Sequence, residues 1–560
     1  MSSANTIQGG DAFLSLLEDE GVTQVFGNPG TTELPVMDAL SKQSALPYVL
    51  GLQESIVIGM ADGFGRASGQ LTACNVHVAP GLGNAMGAIY NAAFTNTPII
   101  ITAGQQEQGH GLTEPVLYAP LVPIAAPLVK WAVEITRLED MPRIVHRAAK
   151  VAMTPPMGPV FISLPGDVLL DEAGINLGKQ TRIDVTGRPA DNAIEELAKK
   201  LLEAKNPAII TGNEIVTSNA LHEVADLAEA IGAASYQQTI AYGSHFLSQH
   251  QTYIGSLSRD QREIRKTLEA YDVLFFIGST VLQTSVASEV EPMPVKTTVI
   301  QLGLNDWEIG KNYSTDIAIR ADVGETMRAL IPTINRLGGN ELKNTARDRI
   351  SELKPNNWSS KNKKIREAAL SKSSDNPIEP DWLMLNIVDA LPPNSIVVNE
   401  SLTSSRALPA LLPYTDRYSF HGNASGGIGW GLPASIGIKL AHPERPVVCL
   451  SGDGSAMYSI QALWTAAHLN LSIVFVITNN RSYRILKQRL LGFHQNDSYL
   501  GMDFDSPTID FANLARSLGV TGETVIEPDE IRPKIEQAFV HKGPTLLDVI
   551  VDSEVKAMKK

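Results

Sequence analysis

Val447-Val448-Cys449-Leu450-Ser451-Gly452-Asp453-Gly454-Ser455, and one helical stretch later Ile473 to Thr478 with Asn479-Asn480-Arg481-Ser482-Tyr483 behind it, decide how this chain is read. Each short apolar run ends in a polar cluster. That pattern predicts strands of a parallel sheet with ligand-binding loops at their carboxyl ends. Between them Met457, Ile460, Leu463, Trp464 and Ala467 recur at helical spacing, so one amphipathic helix is expected there. Glycines beside Asp453 let the backbone approach a diphosphate, and the helix N-terminus behind them favours its charge. Asp453 and the amide oxygen of Asn480 are hard oxygen donors suited to Mg²⁺, or Ca²⁺ in its place, with a main-chain carbonyl near Ser482 as a third. The plain alternative is a surface turn and a surface Asn pair. No Gly-x-x-x-x-Gly-Lys-Ser/Thr loop occurs, and the run Gly426 to Gly431 does not fit dinucleotide spacing.

The same rhythm extends outward in both directions. Strands are expected at Gln24–Gly27, Tyr48–Leu52, Thr72–Val78, Ile99–Ala103 and Val160–Leu164, with helices Ser55–Ala67 and Asn84–Phe94 between them. A second unit carries helices Ala193–Ala204 and Asn219–Ile231 and strands Ala208–Thr211, Val273–Ile277 and Thr298–Leu302. A third adds strands Ile396–Asn399 and Thr545–Val551. The fold class is therefore α/β, three domains with parallel sheets. Their expected bounds are 1–180, 190–340 and 382–560, with 341–381 read as a helix plus an exposed linker.

Composition limits the function. The chain has 560 residues, 43% of them hydrophobic, and a formal charge of −14, which repels nucleic acid and anionic membranes. Lysines in the 361–372 stretch are then read as a solvated face. The two cysteines, Cys74 and Cys449, sit in apolar runs, predicting buried free thiols and a cytoplasmic location. The N-terminal residues lack a basic segment followed by an apolar one, so no secretory signal is expected, and apolar stretches are too short for membrane spans.

Further stretches share one resemblance: Val25-Phe26-Gly27-Asn28-Pro29-Gly30, Leu52-Gln53-Glu54, Gly83-Asn84-Ala85-Met86-Gly87, Ala103-Gly104-Gln105-Gln106, Leu128-Val129-Lys130-Trp131, Asn399-Glu400-Ser401 and the Gly452 to Ala456 turn. Together they resemble the thiamine-diphosphate-dependent 2-oxo acid decarboxylase and acetolactate synthase superfamily, and within it the benzoylformate decarboxylases. The resemblance implies a pyrimidine-binding, a middle and a diphosphate-binding domain. It also implies a homo-oligomer, expected as a dimer of dimers, with cofactor between subunits, and non-oxidative decarboxylation of a 2-oxo acid to an aldehyde. Glu54, at a strand end opening a helix, falls on the glutamate that activates the cofactor. An isolated Glu there would be read as a helix-dipole partner. His77 matches a proton-relay histidine and Thr31 a hydroxyl that meets the substrate carboxylate. By the same resemblance Ile428 props the cofactor, the Gly426 carbonyl accepts from its amino group, and Ser455 and Tyr458 are candidates for the diphosphate. Gly454 and Tyr483 complete the cofactor set, and Thr403 and Ser404 are weaker candidates.

Departures bear on the substrate. A second family histidine, in the middle domain, has only Gln283, Thr284 and Ser285 near its place, with His421 as a candidate substitute or a structural residue. Ile485 stands where a small residue is expected, predicting a reshaped acceptor pocket. A carboligase resembling acetolactate synthase or benzaldehyde lyase is the alternative activity, and a catalytically silent member the remaining one. FAD, which some relatives bind, is not expected, though no residue excludes it.

Overall fold

The computed structural model describes residues 6–42 and 46–557; residues 1–5 of the stretch read for a signal lie outside them. Three six-stranded sheets, parallel throughout, form three α/β domains. In the first, the spatial order is Tyr48–Leu50, Val25–Gly27, Thr72–Val76, Ile99–Gln105, Val160–Pro165, Ala132–Glu134. In the last it is Phe420–Gly422, Ile396–Glu400, Val447–Gly452, Ile473–Asn479, Thr545–Ile550, Thr521–Val525. Ranked along the chain, both read 2-1-3-4-6-5, so the outer domains share one topology. The middle sheet reads 3-2-1-4-5-6, a doubly wound order. Strands such as Ile473–Asn479 are buried along their whole length, as helices on both faces require of a parallel sheet.

The outer domains meet through helices Glu54–Ser68 and Gly431–Ala441, whose Ile56, Met60, Leu432 and Ile436 belong to one core. Glycine makes this approach possible: a Cβ on Gly437 would lie 2.0 Å from the Met60 carbonyl oxygen, and one on Gly63 2.2 Å from that of Ala434. The middle domain has its own core around Leu197, Phe275 and Met327.

Two elements differ from expectation. Residues 341–381, read as a helix plus an exposed linker, hold the end of helix Val323–Leu353, bent at Gly339, then all of helix Trp358–Leu370. Trp358 packs into the middle core and Ala369 into the C-terminal one, so the stretch bridges two domains. The single helix expected after Asp453 is also broken. One turn, Asp453–Ala456, is followed by loose turns and then helix Ala462–His468. The buried face is built from small groups, Ala456, Ser459, Ala462, Thr465 and Ala466, with Leu463. Thr465 donates to the Leu50 carbonyl of the first domain, and that close seating leaves Met457 and Tyr458 outside, 42% and 56% exposed.

Candidate active site

Both outer sheets reverse strand order beside their first strand, and ligands collect at such switch points, outside the carboxyl ends. In the C-terminal domain that crevice lies between Ile396–Glu400 and Val447–Gly452, and it holds Asp453. Asp453 is buried, accepting from the amides of Gly454 (2.8 Å), Asn480 (2.9 Å) and Arg481 (2.5 Å). Burial pushes its carboxyl up to about 6, those amides pulling the other way. Among the described residues no Lys, Arg or His pairs with it. Asn480 Oδ1 accepts from the Ser482 hydroxyl, and the Tyr483 ring lies so close to Gly454 that a Cβ there would sit 2.5 Å from it. No cluster of three His, Cys, Asp or Glu occurs among the described residues, so the donors here are one carboxylate plus amide and carbonyl oxygens.

Glu400, quoted above only as part of a motif, organises the glycine run. Its buried carboxylate accepts from the amides of Gly429 (2.9 Å), Trp430 (3.2 Å) and Gly431 (2.8 Å) and from Asn423 Nδ2 (3.0 Å). Burial raises its pKa. Gly426 takes φ +86° and stands exposed, and Ile428 is half-buried behind it. The Asn91 and Asn423 amides occupy the neighbouring Gly427 carbonyl. Thr403 and Ser404 are gripped by buried Arg484, whose guanidinium donates to both hydroxyls (3.1 and 2.6 Å). Ser455 is buried at the one-turn helix and Tyr458 is exposed beyond it.

At the switch point of the first sheet, Asn28 and His77 follow strands Val25–Gly27 and Thr72–Val76. Glu54, 5% exposed, accepts from Asn28 Nδ2 (3.3 Å) and Asn84 Nδ2 (3.0 Å), while Gln53 caps the helix by accepting from the Ser55 amide. His77 Nδ1 lies 2.7 Å from Glu33 Oε2. Fully buried Glu33 also accepts from the amides of Gly30, Gly104 and Val78 and from the Thr32 hydroxyl. A carboxylate can only accept, so Nδ1 donates to Glu33 and Nε2 is the ring nitrogen left outside that bond. Val78, β-branched and buried, is held at φ +35°, backbone strain next to the candidate base. Glu33 was missed in the sequence, where Thr-Thr-Glu reads as an ordinary turn. Thr31 stands exposed at the start of that turn.

Ser285 and Ile485 line a cleft of about 870 Å³ between the middle and C-terminal domains, together with Asn399, Leu402 and Thr403. His421 is not part of it. Its buried side chain lines a separate cavity with Arg66 and Glu214, and burial, then Arg66, lowers it well below the ordinary imidazole range. On strand Phe420–Gly422 successive residues alternate faces: Gly422 lines the cleft, His421 lines only the separate cavity, and Phe420 borders both. In the middle domain the switch-point loops close on each other, a Cβ on Gly212 falling 2.3 Å from Ser279 Cα. Glu214 there takes the amides of Leu304 and Asn305.

Comparison with known proteins agrees with this division. Sequence models described as the N-terminal TPP binding, central and C-terminal TPP binding domains of thiamine pyrophosphate enzymes match residues 7–114, 194–330 and 404–549. Benzoylformate decarboxylase of Pseudomonas aeruginosa is 31% identical, covering 96% of this chain and 98% of that protein. A probable acetolactate synthase large subunit of Methanocaldococcus jannaschii is 29% identical over 98% and 92%. Among solved structures, the thiamine diphosphate-dependent 4-hydroxybenzoylformate decarboxylase of Rhodococcus jostii RHA1 superposes with a TM-score of 0.85 at 29% identity, covering 98% of this chain and all of that one.

Proposed function

Because the chain belongs to the thiamine pyrophosphate enzymes, we propose that it decarboxylates a 2-oxo acid without oxidation and releases an aldehyde. The observation that carries this reading is Glu54, buried and held by two amides, beside a His77 oriented by Glu33 at the same switch point. Thiamine diphosphate, when bound, supplies the carbanion chemistry. Asp453 fits the metal that would accompany it: a buried carboxylate with no cationic partner calls for one, and its oxygen-only neighbours suit Mg²⁺ or Ca²⁺. In this reading Asp453, Asn480 and the Ser482 carbonyl hold the cation. Gly454, Ser455, Tyr458 and Tyr483 shape the diphosphate pocket, and Arg484 fixes the turn carrying Thr403 and Ser404. Gly426 offers its carbonyl and Ile428 its side chain to the cofactor rings. Glu54 holds a proton against the pyrimidine, His77 Nε2 moves one at the reacting carbon, and the Thr31 hydroxyl meets the substrate carboxylate.

Exposed apolar groups flank both half-sites: Leu52 (42%), Leu112 (91%) and Val116 (85%) on the first domain, Leu402 (47%) and Leu486 (46%) on the last. Their exposure supports a homo-oligomer in which a second copy completes each site. No helix among the described residues is long and apolar enough to cross a membrane, and both cysteines are buried and free, which supports a cytoplasmic enzyme.

A second reading, carboligation, is favoured by one observation: among the described residues no histidine lines the middle-domain side of the cleft, where Ser285 and Val286 stand. Slower proton delivery there favours attack on a second carbonyl compound. The experiment supplies 2-oxo acids to the protein with Mg²⁺ and thiamine diphosphate and identifies products by mass and chirality. Aldehyde supports decarboxylation alone, a chiral 2-hydroxy ketone supports ligation, and neither overturns both.

A further inference from the structure

The cleft beside Ile485 carries more positive charge than a hydrophobic 2-oxo acid needs. Ile485, Arg489 and Phe493 face it from one side of helix Arg484–His494, spaced four residues apart. Arg489 thus lies one helical turn, roughly 5.4 Å, beyond Ile485 along the helix, on the side away from the metal loop. From the middle domain Arg259 enters the same cleft, on a segment whose backbone carbonyl is tied to the amides of Ser285 and Val286.

These two guanidiniums are unpaired. Among the described residues neither has an ion-pair partner. Arg489 Nε is buried with no acceptor, and Arg259 makes only a long 3.4 Å bond to the Thr239 carbonyl. Arg259 is exposed and lines the cleft. Desolvation there, then the charge of Arg489, lowers its pKa. The other charges do not cancel them. Arg262 is paired with Asp260 at 2.8 Å, the Glu400 carboxylate is consumed by backbone amides, Arg406 rests on Gln488, and Glu263, exposed and also lining the cleft, forms no ion pair with either arginine. Two like charges pointed into one cleft repel each other, the more so with water partly excluded. In a chain of net charge −14 such a site is best accounted for by an anion that both arginines bind.

We propose that the substrate is a 2-oxo acid with a second anionic group at its far end, bound there by Arg489 and Arg259. This rests on the decarboxylase reading for which carboxyl reacts. The reacting end sits toward the metal loop and the anionic tail one helical turn further on, a span that suits a chain of about five or six carbons. The 2-oxo carboxylate leaves as CO₂, a proton replaces it, and the product is an aldehyde retaining the distal anion.

The test compares kcat/KM of the holoenzyme for 2-oxoglutarate and 2-oxoadipate with that for 2-oxopentanoate and 2-oxohexanoate. A phosphonate arm, 2-oxo-4-phosphonobutanoate, matches 2-oxoglutarate in length and separates carboxylate from phosphonate tails. The anionic-tailed acid of either kind is expected to exceed its neutral counterpart by about tenfold or more. Arg489→Leu should cut that ratio by about tenfold, Arg259→Gln severalfold, with part of it retained in Arg489→Lys. Neutral-tailed acids or benzoylformate used equally well, with a ratio indifferent to Arg489→Leu, would overturn the proposal. A calorimetric titration with glutarate against pentanoate reads the anion site without turnover. Arg489-dependent glutarate binding with no 2-oxo acid turned over leaves the anion site standing and removes the decarboxylase reading. Turnover with neither glutarate binding nor tail preference removes the anion site alone.

Discussion

Glu54 and Asp548 are both buried carboxylates, yet they answer to different tests. Glu54 is held between the Asn28 and Asn84 amides, which Gln can still satisfy in part. Glu54→Gln is therefore expected to fold and bind cofactor while losing turnover by about a hundredfold or more, read by steady-state kinetics beside a cofactor titration. Near wild-type turnover would remove Glu54 from the mechanism. Asp548, 3% exposed on strand Thr545–Ile550, is pushed up to about 6 by burial, with Asn479 Nδ2 donating at 2.9 Å against that push. Its folded pKa lies above its unfolded one, so the native state binds the proton more tightly. Stability from this group is present below the unfolded pKa near 4 and is lost as pH rises through about 6, a difference of about 3 kcal/mol. Asp548→Asn removes that loss. Its unfolding midpoint relative to wild type should rise between pH 4.5 and pH 7.5, and a gap constant across that window would refute the account.

Helix pairs carry the next level of information. Helices Glu54–Ser68 and Gly431–Ala441 touch backbone to backbone because Gly63 and Gly437 have no Cβ. Gly437→Ala forces them apart and is expected to cost about 1–3 kcal/mol, lowering the thermal midpoint by a few degrees. An unchanged midpoint would show that the pair can slide without loss. Since Glu54 opens the first of these helices, the same variant should also weaken cofactor binding. Small residues explain the broken helix after Asp453 as well. Helical periodicity in Met457, Ile460 and Trp464 marks a face that the fold leaves outward or half-covered, while Ala462 and Ala466 seat against the sheet. Hydrophobic spacing shows that a face exists; close packing selects which face is buried.

At the scale of the molecule, the Glu54 and Asp453 crevices occupy equivalent switch points of two sheets with one topology, and no hydrogen bond joins the two sets within the described chain. If each site takes Glu54 from one copy and Asp453 from another, mixing inactive Glu54→Gln with inactive Asp453→Ala subunits restores one intact site per mixed dimer. Refolded mixtures should then recover roughly a quarter of wild-type activity, and no recovery would place both residues in one chain's site. Three parallel-sheet domains and the thiamine pyrophosphate family were legible in the sequence by itself, because apolar periods, glycine turns and the Gly452 to Ser455 motif are set by neighbours a few residues apart. That Asp453 and Asn480 come close was also legible, each following the carboxyl end of one of two adjacent strands, and the Asn480 backbone amide donates to Asp453. The tertiary structure alone decided that Glu33 holds His77, that Glu400 gathers the glycine run, that His421 lines another cavity, and that Arg259 and Arg489 line one cleft. Those pairings depend on strand order and on how loops of separate sheets pack, and no local preference in the chain encodes either.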